Sequence, residues 1–109
     1  MDGVVGEAIR GQGAEVKIVW SRRAVGHLAA LREYIAAESP AAAARTARRI
    51  LDSVALLATQ PQMGRPGRVP GTREWVVPRT PYIVPYRVRG ARLELIAVFH
   101  GKQKWPSMM

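Results

Sequence analysis

The order of apolar and polar positions first predicts a strand and then a helix. Residues 16–20 are mostly apolar and β-branched, which is typical of a strand. Ser21 is placed to cap a helix that we expect to end near Glu38. The apolar residues of this helix recur at helical spacing and form one stripe: Ala24, Leu28, Leu31 and Ile35.

A second helix follows almost immediately. Ser39 is a capping residue, and Pro40 suits the first helical position, where its missing N–H costs nothing. The apolar stripe of this helix consists of Ala43, Ala47, Ile50, Val54 and Leu57. Pro61 ends the pattern. Because the joint between the helices is so short, the sequence predicts an antiparallel helical hairpin.

The second half of the chain predicts three strands after a loop rich in glycine and proline. The strands are expected at residues 73–77, 82–88 and 92–100. The last run is apolar at consecutive positions near its middle, which indicates a strand central in the sheet. Pro85 cannot donate a ladder hydrogen bond, so its strand should lie at an edge or contain a bulge.

The element order βααβββ predicts an α+β fold in which the helical hairpin packs on a small, mainly antiparallel sheet. We expect residues 1–15, which contain four glycines and show no period, to form a flexible N-terminal extension. Residues 16–109 would then form a single domain, since 109 residues leave room for one core.

The charge is the first observation that points to partners. Seventeen Lys and Arg residues against eight Asp and Glu give a net charge of +9. A field of this sign favours nucleic acid or an acidic protein segment. The alternative is an arginine-rich surface without a specific partner.

Several other kinds of function are disfavoured. The chain has no cysteine, and its two histidines, His27 and His100, are far apart without clustered carboxylates, so no metal site is expected. No cofactor-binding motif occurs, and no cofactor is expected. Without a leader pattern or an apolar run long enough to cross a bilayer, we expect a cytoplasmic protein with no membrane partner.

Short motifs, taken together and in order, resemble the RelE/ParE superfamily of toxins from bacterial type II toxin–antitoxin systems. They are LREYI at 31–35, PQMGR at 61–65, GTRE at 71–74, PYI at 81–83, YRV at 86–88 and VFHGKQKWP at 98–106. The resemblance implies the fold above and a protein that halts growth when free. It also implies a hetero-oligomer with an antitoxin that wraps an acidic C-terminal segment around the toxin.

The superfamily contains two mechanisms. RelE-like toxins cut messenger RNA on the ribosome, and ParE-like toxins are associated with poisoning DNA gyrase. At positions where RelE-like nucleases usually carry arginine and lysines, this chain has Ile83, Glu74 and Val76. The resemblance therefore favours a ParE-like toxin that acts on gyrase and is neutralised by a ParD-like antitoxin. A RelE-like messenger RNA endoribonuclease is the alternative.

If the chain is a nuclease, four residues are candidates for the chemistry. His100 would be the acid or base. The phosphate-binding cations would be Arg65, Arg73 and Arg87, the last two converging with His100 on the sheet. The alternatives are a strand-end histidine bonded to the backbone, a solvated loop for Arg65, and cross-strand pairing of Arg73 or Arg87 with Glu74 or Glu94.

A second set of residues are candidates for contact with the target or the antitoxin: Arg45, Arg48, Arg49, Arg68, Tyr86, Lys102, Lys104 and Trp105. The three helix arginines could instead form a solvated face, and Arg68 could belong to a solvated loop. Core packing is the alternative for Tyr86, and Trp105 could instead attach the tail to the fold. Trp20 and Trp75 are expected in the core, and His27 is expected to pack at the flank of its helix.

Overall fold

The computed structural model describes residues 16–103. The predicted flexible extension, residues 1–15, lies outside this range, and so do Lys104 and Trp105. The described chain forms two helices and a six-stranded sheet. In chain order the elements are β1 (Lys17–Trp20), α1 (Arg22–Ala36), α2 (Pro40–Thr59), β2 (Arg65–Pro66), β3 (Arg73–Val76), β4 (Tyr82–Arg89), β5 (Arg92–Leu95) and β6 (Phe99–His100).

Both helices begin at the predicted serine caps. The Ser21 hydroxyl accepts the N–H of Ala24 at 3.0 Å, and the Ser39 hydroxyl accepts the N–H of Ala42 at 3.1 Å. Pro40 is the first residue of α2, as predicted. Each bond satisfies an N–H that the first turn of a helix would otherwise leave unpaired.

The two helices pack against one face of the sheet. Ile50, Val54 and Leu57 of α2 are buried in one core cluster with alternate residues of the strands. Those strand residues include Trp20, Val84, Tyr86, Leu93 and Leu95. Burial of Trp20 is as predicted, and Trp75 packs against the same core while its indole N–H donates to the Ser53 hydroxyl at 3.2 Å. Neither described helix is long and apolar enough to span a membrane.

The strand order is β1-β5-β4-β3-β2, with β6 also paired to β4. The β1–β5 pair is parallel and the other pairs are antiparallel, so the sheet is mixed but mainly antiparallel. This arrangement confirms the predicted α+β fold. It also confirms a central position for β5, which lies between β1 and β4. The two-residue strand β2 was not predicted.

The prediction of one continuous strand over residues 92–100 was wrong. The chain forms β5, leaves the ladder at residues 96–98, and returns as β6. Tyr86 pairs with Leu95, whereas Ile83 pairs with Phe99, so β6 is one residue out of step with β5. This is the geometry of a β-bulge.

Pro85 explains where the ladder breaks. The N–H of Ile96 donates to the Pro85 carbonyl at 2.9 Å, but Pro85 has no N–H to return the bond. The edge alternative for the Pro85 strand is wrong, because β4 lies between β3 and β5. The bulge alternative is correct in that a bulge forms at Pro85. The extra residue, however, lies in the chain segment paired with β4 and not in β4 itself.

The face of the sheet opposite the helices is called the outer face here. Ile83, Ala97 and Phe99 form a second, smaller buried cluster on it, with Val69 and Ile96 packed against them. The outer face also carries charged residues.

Candidate functional site

Arginines gather on the outer face in two groups, each around one glutamate. Successive residues of a strand point to opposite faces. Because Tyr86 and Leu93 face the helices, their neighbours Arg87 and Glu94 face outward. We call the two groups the Glu74 cluster (Glu74, Arg65 and Arg68) and the Glu94 cluster (Glu94, Arg87, Arg89 and Arg92).

The carboxylate of the Glu74 cluster is buried, with the side chain only 1% exposed. It accepts the backbone N–H of Arg68 at 2.9 Å, and its Oε1 lies 3.3 Å from Nη2 of Arg65 and 3.6 Å from Nε of Arg68. The Arg68 guanidinium also lies over the Phe99 ring, 5.7 Å from its centroid. Glu74 therefore fixes the loop carrying both arginines and sets where their charges lie.

The Glu94 cluster is more open. Oε1 of Glu94 lies 2.7 Å from Nε of Arg87 and 3.8 Å from Nε of Arg89, and Oε2 lies 3.4 Å from Nη2 of Arg92. The pair between Arg87 and Glu94 joins directly opposite residues of β4 and β5, which confirms the cross-strand alternative for Arg87. One carboxylate cannot neutralise three guanidinium groups, so this end of the sheet stays positive.

Arg73 and Arg87 line the same small cavity, of about 180 Å³, beside Gln62 and Gly71. Arg73 donates to the carbonyl oxygens of Gly64 at 2.8 Å and Gln62 at 3.2 Å. The described contacts of Arg73 are thus with backbone carbonyls and not with a glutamate, which does not match the cross-strand alternative.

His100 does not join them. It pairs with Tyr82 at the start of β4, and the two rings meet edge to face with centroids 5.6 Å apart. Its Nδ1 accepts the N–H of Lys102 at 3.1 Å, as in the alternative of a strand-end histidine bonded to the backbone. Tyr82 belongs to the helix-side core, whereas Arg87 faces outward. The predicted convergence of His100 with Arg73 and Arg87 was wrong.

A larger groove, of about 400 Å³, runs between α1 and β6. Its lining residues include His27, Leu31, Tyr34, Tyr82 and His100. Burial of the ring and the nearby Arg23 charge lower the pKa of His27, and burial raises the pKa of Tyr82. Nδ1 of His27 accepts the N–H of Val98 at 3.2 Å, so this histidine supports the bulge instead of only packing at the helix flank.

Tyr86 is a core residue and offers no surface to a partner. Its side chain is fully buried, and its hydroxyl donates to the Pro61 carbonyl at 2.7 Å and accepts the N–H of Gly64 at 2.9 Å. Burial raises the pKa of this phenol. A side chain at position 64 is excluded, since its Cβ would lie 2.6 Å from the Tyr86 hydroxyl oxygen.

The three helix arginines proposed for partner contact lie on α2, away from the outer face. Arg45 and Arg48 are exposed on α2, and Arg49 donates from its guanidinium to the Arg79 carbonyl at 3.3 Å. Exposed Leu51 and Leu56 lie further along the same helix. Lys102 is exposed after β6.

Sequence reasoning missed three residues of the charged surface: Lys17, Arg89 and Arg92. A signal existed for two of them. The turn between β4 and β5 is tight, so the alternating sequences Arg87-Val88-Arg89 and Arg92-Leu93-Glu94 place their charges on one face. For Lys17 there was no local signal, because the parallel pairing of β1 with β5 joins distant parts of the chain.

Comparison with known proteins gives consistent matches over most of the chain. Residues 18–105 match the family described as ParE toxin of type II toxin-antitoxin system, parDE. The chain is 42% identical over 93 residues to "Putative toxin Y4kP" of Sinorhizobium fredii, covering 85% of this chain and 96% of that protein. It is 34% identical over 85 residues to "Toxin RelE2" of Caulobacter vibrioides, covering 78% of this chain and 94% of that protein.

The fold has a counterpart among solved structures. A chain from the chromosomal ParDE TA system of P. aeruginosa superposes with a TM-score of 0.71 at 27% sequence identity. The superposition covers 78% of this chain and 95% of that chain. The two helices on a mixed sheet therefore form the fold of a toxin–antitoxin protein.

Proposed function

Because the chain belongs to the ParE toxin family of type II toxin–antitoxin systems, we propose that it stops growth by binding DNA gyrase. A ParD-like antitoxin neutralises it in a cytoplasmic hetero-oligomer. In this reading the toxin acts as a binding protein, and its charged surfaces contact large partners.

The separation of His100 from the arginines is the observation that carries this proposal. Cleavage of RNA needs an acid or base and fixed cations around one phosphate. Tyr82, the strand partner of His100, precedes Arg87 by five positions, which is about 16 Å along an extended strand. Tyr82 and its partner His100 lie on the helix side of the sheet, whereas Arg87 lies on its outer face. Such a placement favours binding over phosphate chemistry.

The positions expected to carry nuclease cations support the same reading. Ile83 is buried in the small apolar cluster on the outer face, and the carboxylate of Glu74 is buried against Arg65 and Arg68. Val76 is exposed and apolar. None of these three side chains can stabilise a phosphate by its charge.

The solvent-exposed side of α2 is the proposed contact for the antitoxin. Exposed Arg45 and Arg48 precede exposed Leu51 and Leu56 on this helix. Cations beside apolar side chains fit an acidic amphipathic segment, which would bury the leucines and pair with the arginines. The net charge of +9 steers such a segment toward the toxin.

A supercoiling assay with gyrase tests the target. Purified toxin should inhibit supercoiling in a dose-dependent way, and added antitoxin should restore it. No inhibition at a stoichiometric excess of toxin contradicts gyrase binding.

The RelE-like alternative also needs a test, because one relative is named RelE2. Primer extension on messenger RNA after toxin induction provides this test. Codon-phased cuts that disappear in His100→Ala would favour the nuclease.

Charge reversal tests the antitoxin contact. The double variant Arg45→Glu/Arg48→Glu should weaken antitoxin binding, measured by calorimetry, on the order of tenfold or more. The matched control is Arg22→Glu/Arg32→Glu, which makes the same change of charge at exposed positions of α1. Equal losses in both variants would assign the effect to net charge and not to α2.

A further inference from the structure

Three cations form a row across the outer face, at the end where β4 turns into β5. Lys17 pairs with Arg92, and Arg92 pairs with Arg89, so one residue from each of β1, β5 and β4 stands side by side. Their alternate neighbours Ile18 and Leu93 are in the helix-side core, so the row faces outward. All three residues are exposed.

Such a row works against folding. Like charges directly opposite each other in neighbouring strands destabilise a sheet. Among the described residues, Glu94 is the carboxylate that lies against these arginines. Arg87, Arg89 and Arg92 share it. The Arg89 side chain remains 63% exposed and the Arg92 side chain 56% exposed. The fold therefore presents concentrated positive charge that it does not need for stability.

The surroundings of the row indicate which anion it suits. Within residues 16–103, the large apolar side chains that are exposed lie on the two helices, at Val76 of β3 and at Val88 of β4. Val88 points to the helix side of the sheet. A protein interface usually has an apolar or aromatic centre, and single-stranded nucleic acid is bound by aromatic stacking. The row offers neither. A duplex backbone requires only cations, because its phosphates are contacted without regard to sequence.

We propose that Lys17, Arg89 and Arg92, with Arg87 positioned beside them by Glu94, form a contact surface for the phosphate backbone of double-stranded DNA. Neighbouring strands are about 4.8 Å apart, so the three Cα atoms span about 10 Å. This is about the axial length of three nucleotides of one DNA strand. The choice of DNA over duplex RNA rests on the proposed function, in which the target enzyme works on DNA.

Fluorescence anisotropy with the full chain and a labelled duplex of about 20 base pairs tests the surface between about 50 and 200 mM salt. The triple variant Lys17→Gln/Arg89→Gln/Arg92→Gln should weaken binding at least about tenfold and reduce the salt slope by about three. The control is Arg22→Gln/Arg23→Gln/Arg32→Gln, which removes the same charge from exposed positions of α1. It should change affinity no more than about twofold.

Other outcomes overturn the proposal. Equal weakening in both triple variants would mean that diffuse net charge, and not the row, binds DNA. Tighter binding of a matched RNA duplex, or binding of polyglutamate without binding of DNA, would assign the row to another partner. Circular dichroism should show the row variant folded, with a midpoint close to that of the parent, because relief of like-charge repulsion offsets the loss of the exposed pairs with Glu94.

The DNA measurement contains no gyrase, so the two proposals fail separately. A toxin that inhibits supercoiling but does not bind the duplex contradicts the surface and leaves the gyrase target standing. A toxin that binds the duplex through the row but does not inhibit supercoiling supports the surface and contradicts the target.

Discussion

The hydroxyl of Ser21 donates to the carbonyl oxygen of Ile96 at 3.0 Å, directly beside the place where Pro85 interrupts the sheet. Pro85 cannot donate to that carbonyl, so the first residue before α1 supplies the missing hydrogen bond. The same hydroxyl oxygen accepts the N–H of Ala24. One side chain thus caps a helix and closes a gap in the ladder.

This double role makes Ser21 more important for stability than the other capping serine. Ser39→Ala should cost about 1 kcal/mol, the usual value of a helix cap. Ser21→Ala should cost about 1 kcal/mol more, because the Ile96 carbonyl also loses its partner. Urea denaturation with an unchanged m-value measures both. Equal losses would mean that the Ile96 carbonyl finds another donor.

His27 should make stability depend on pH. Its Nδ1 accepts the Val98 N–H only while that nitrogen carries no proton, and burial with the nearby Arg23 lowers its pKa. An unfolded chain, in which histidine titrates near ~6.5, then binds more protons than the folded chain. Stability is therefore fully present above that value and is lost as pH falls through the lower pKa of the folded state.

Thermal midpoints at a neutral and a mildly acidic pH measure this effect. His27→Gln keeps an acceptor but does not titrate, so the drop in midpoint on acidification should become smaller. Tyr34→Phe, a change at an exposed position of the same helix that adds and removes no charge, should leave the drop as it is. A drop of the same size in His27→Gln would place the titration elsewhere.

Local sequence was enough to predict the helices. The serine caps, the Pro40 start and the two apolar stripes are all contained in short segments, and each was confirmed. The pairing of β1 with β5 could not be read in this way, because it joins residues that are far apart in sequence. The strand β2 was also unreadable, since a two-residue strand has no period.

The error over His100 has a single physical origin. In a continuous strand over residues 92–100, His100 would share a face with Glu94 and therefore with Arg87. The extra residue at the bulge exchanges the two faces, which turns Phe99 outward and His100 toward Tyr82. Pro85 indicated that a bulge would form, but it did not indicate which strand would contain the extra residue. The one-residue shift therefore placed His100 and Arg87, which were predicted to act together, on opposite faces of the sheet.

Removal of the Tyr86 hydroxyl tests the junction that fixes the end of α2 to the sheet. Tyr86→Phe leaves the N–H of Gly64 and the carbonyl of Pro61 without this partner in a buried setting. We expect a loss of about 1–3 kcal/mol in the free energy of unfolding. Tyr34→Phe is the control, because Tyr34 is 80% exposed. A loss no greater than that of the control would mean that water or a shift of the loop satisfies both groups.

The two glutamates of the outer face should differ in what their charges contribute. Glu74→Gln keeps an acceptor for the Arg68 N–H but removes the charge from a carboxylate that is 1% exposed, so we expect a loss of about 1–3 kcal/mol. Glu94 is 16% exposed and its arginines are largely solvated. Each of those pairs contributes about 0.2–1 kcal/mol at most, and salt screens it.

Urea denaturation at low and high salt therefore separates the two clusters. The effect of Glu94→Gln should fade as salt is added, whereas the effect of Glu74→Gln should persist, because the buried carboxylate is poorly screened. The opposite ranking would mean that Glu94, rather than Glu74, is the charge on which the fold depends. The arginine row would then be part of the framework of the sheet and not a surface kept for a partner.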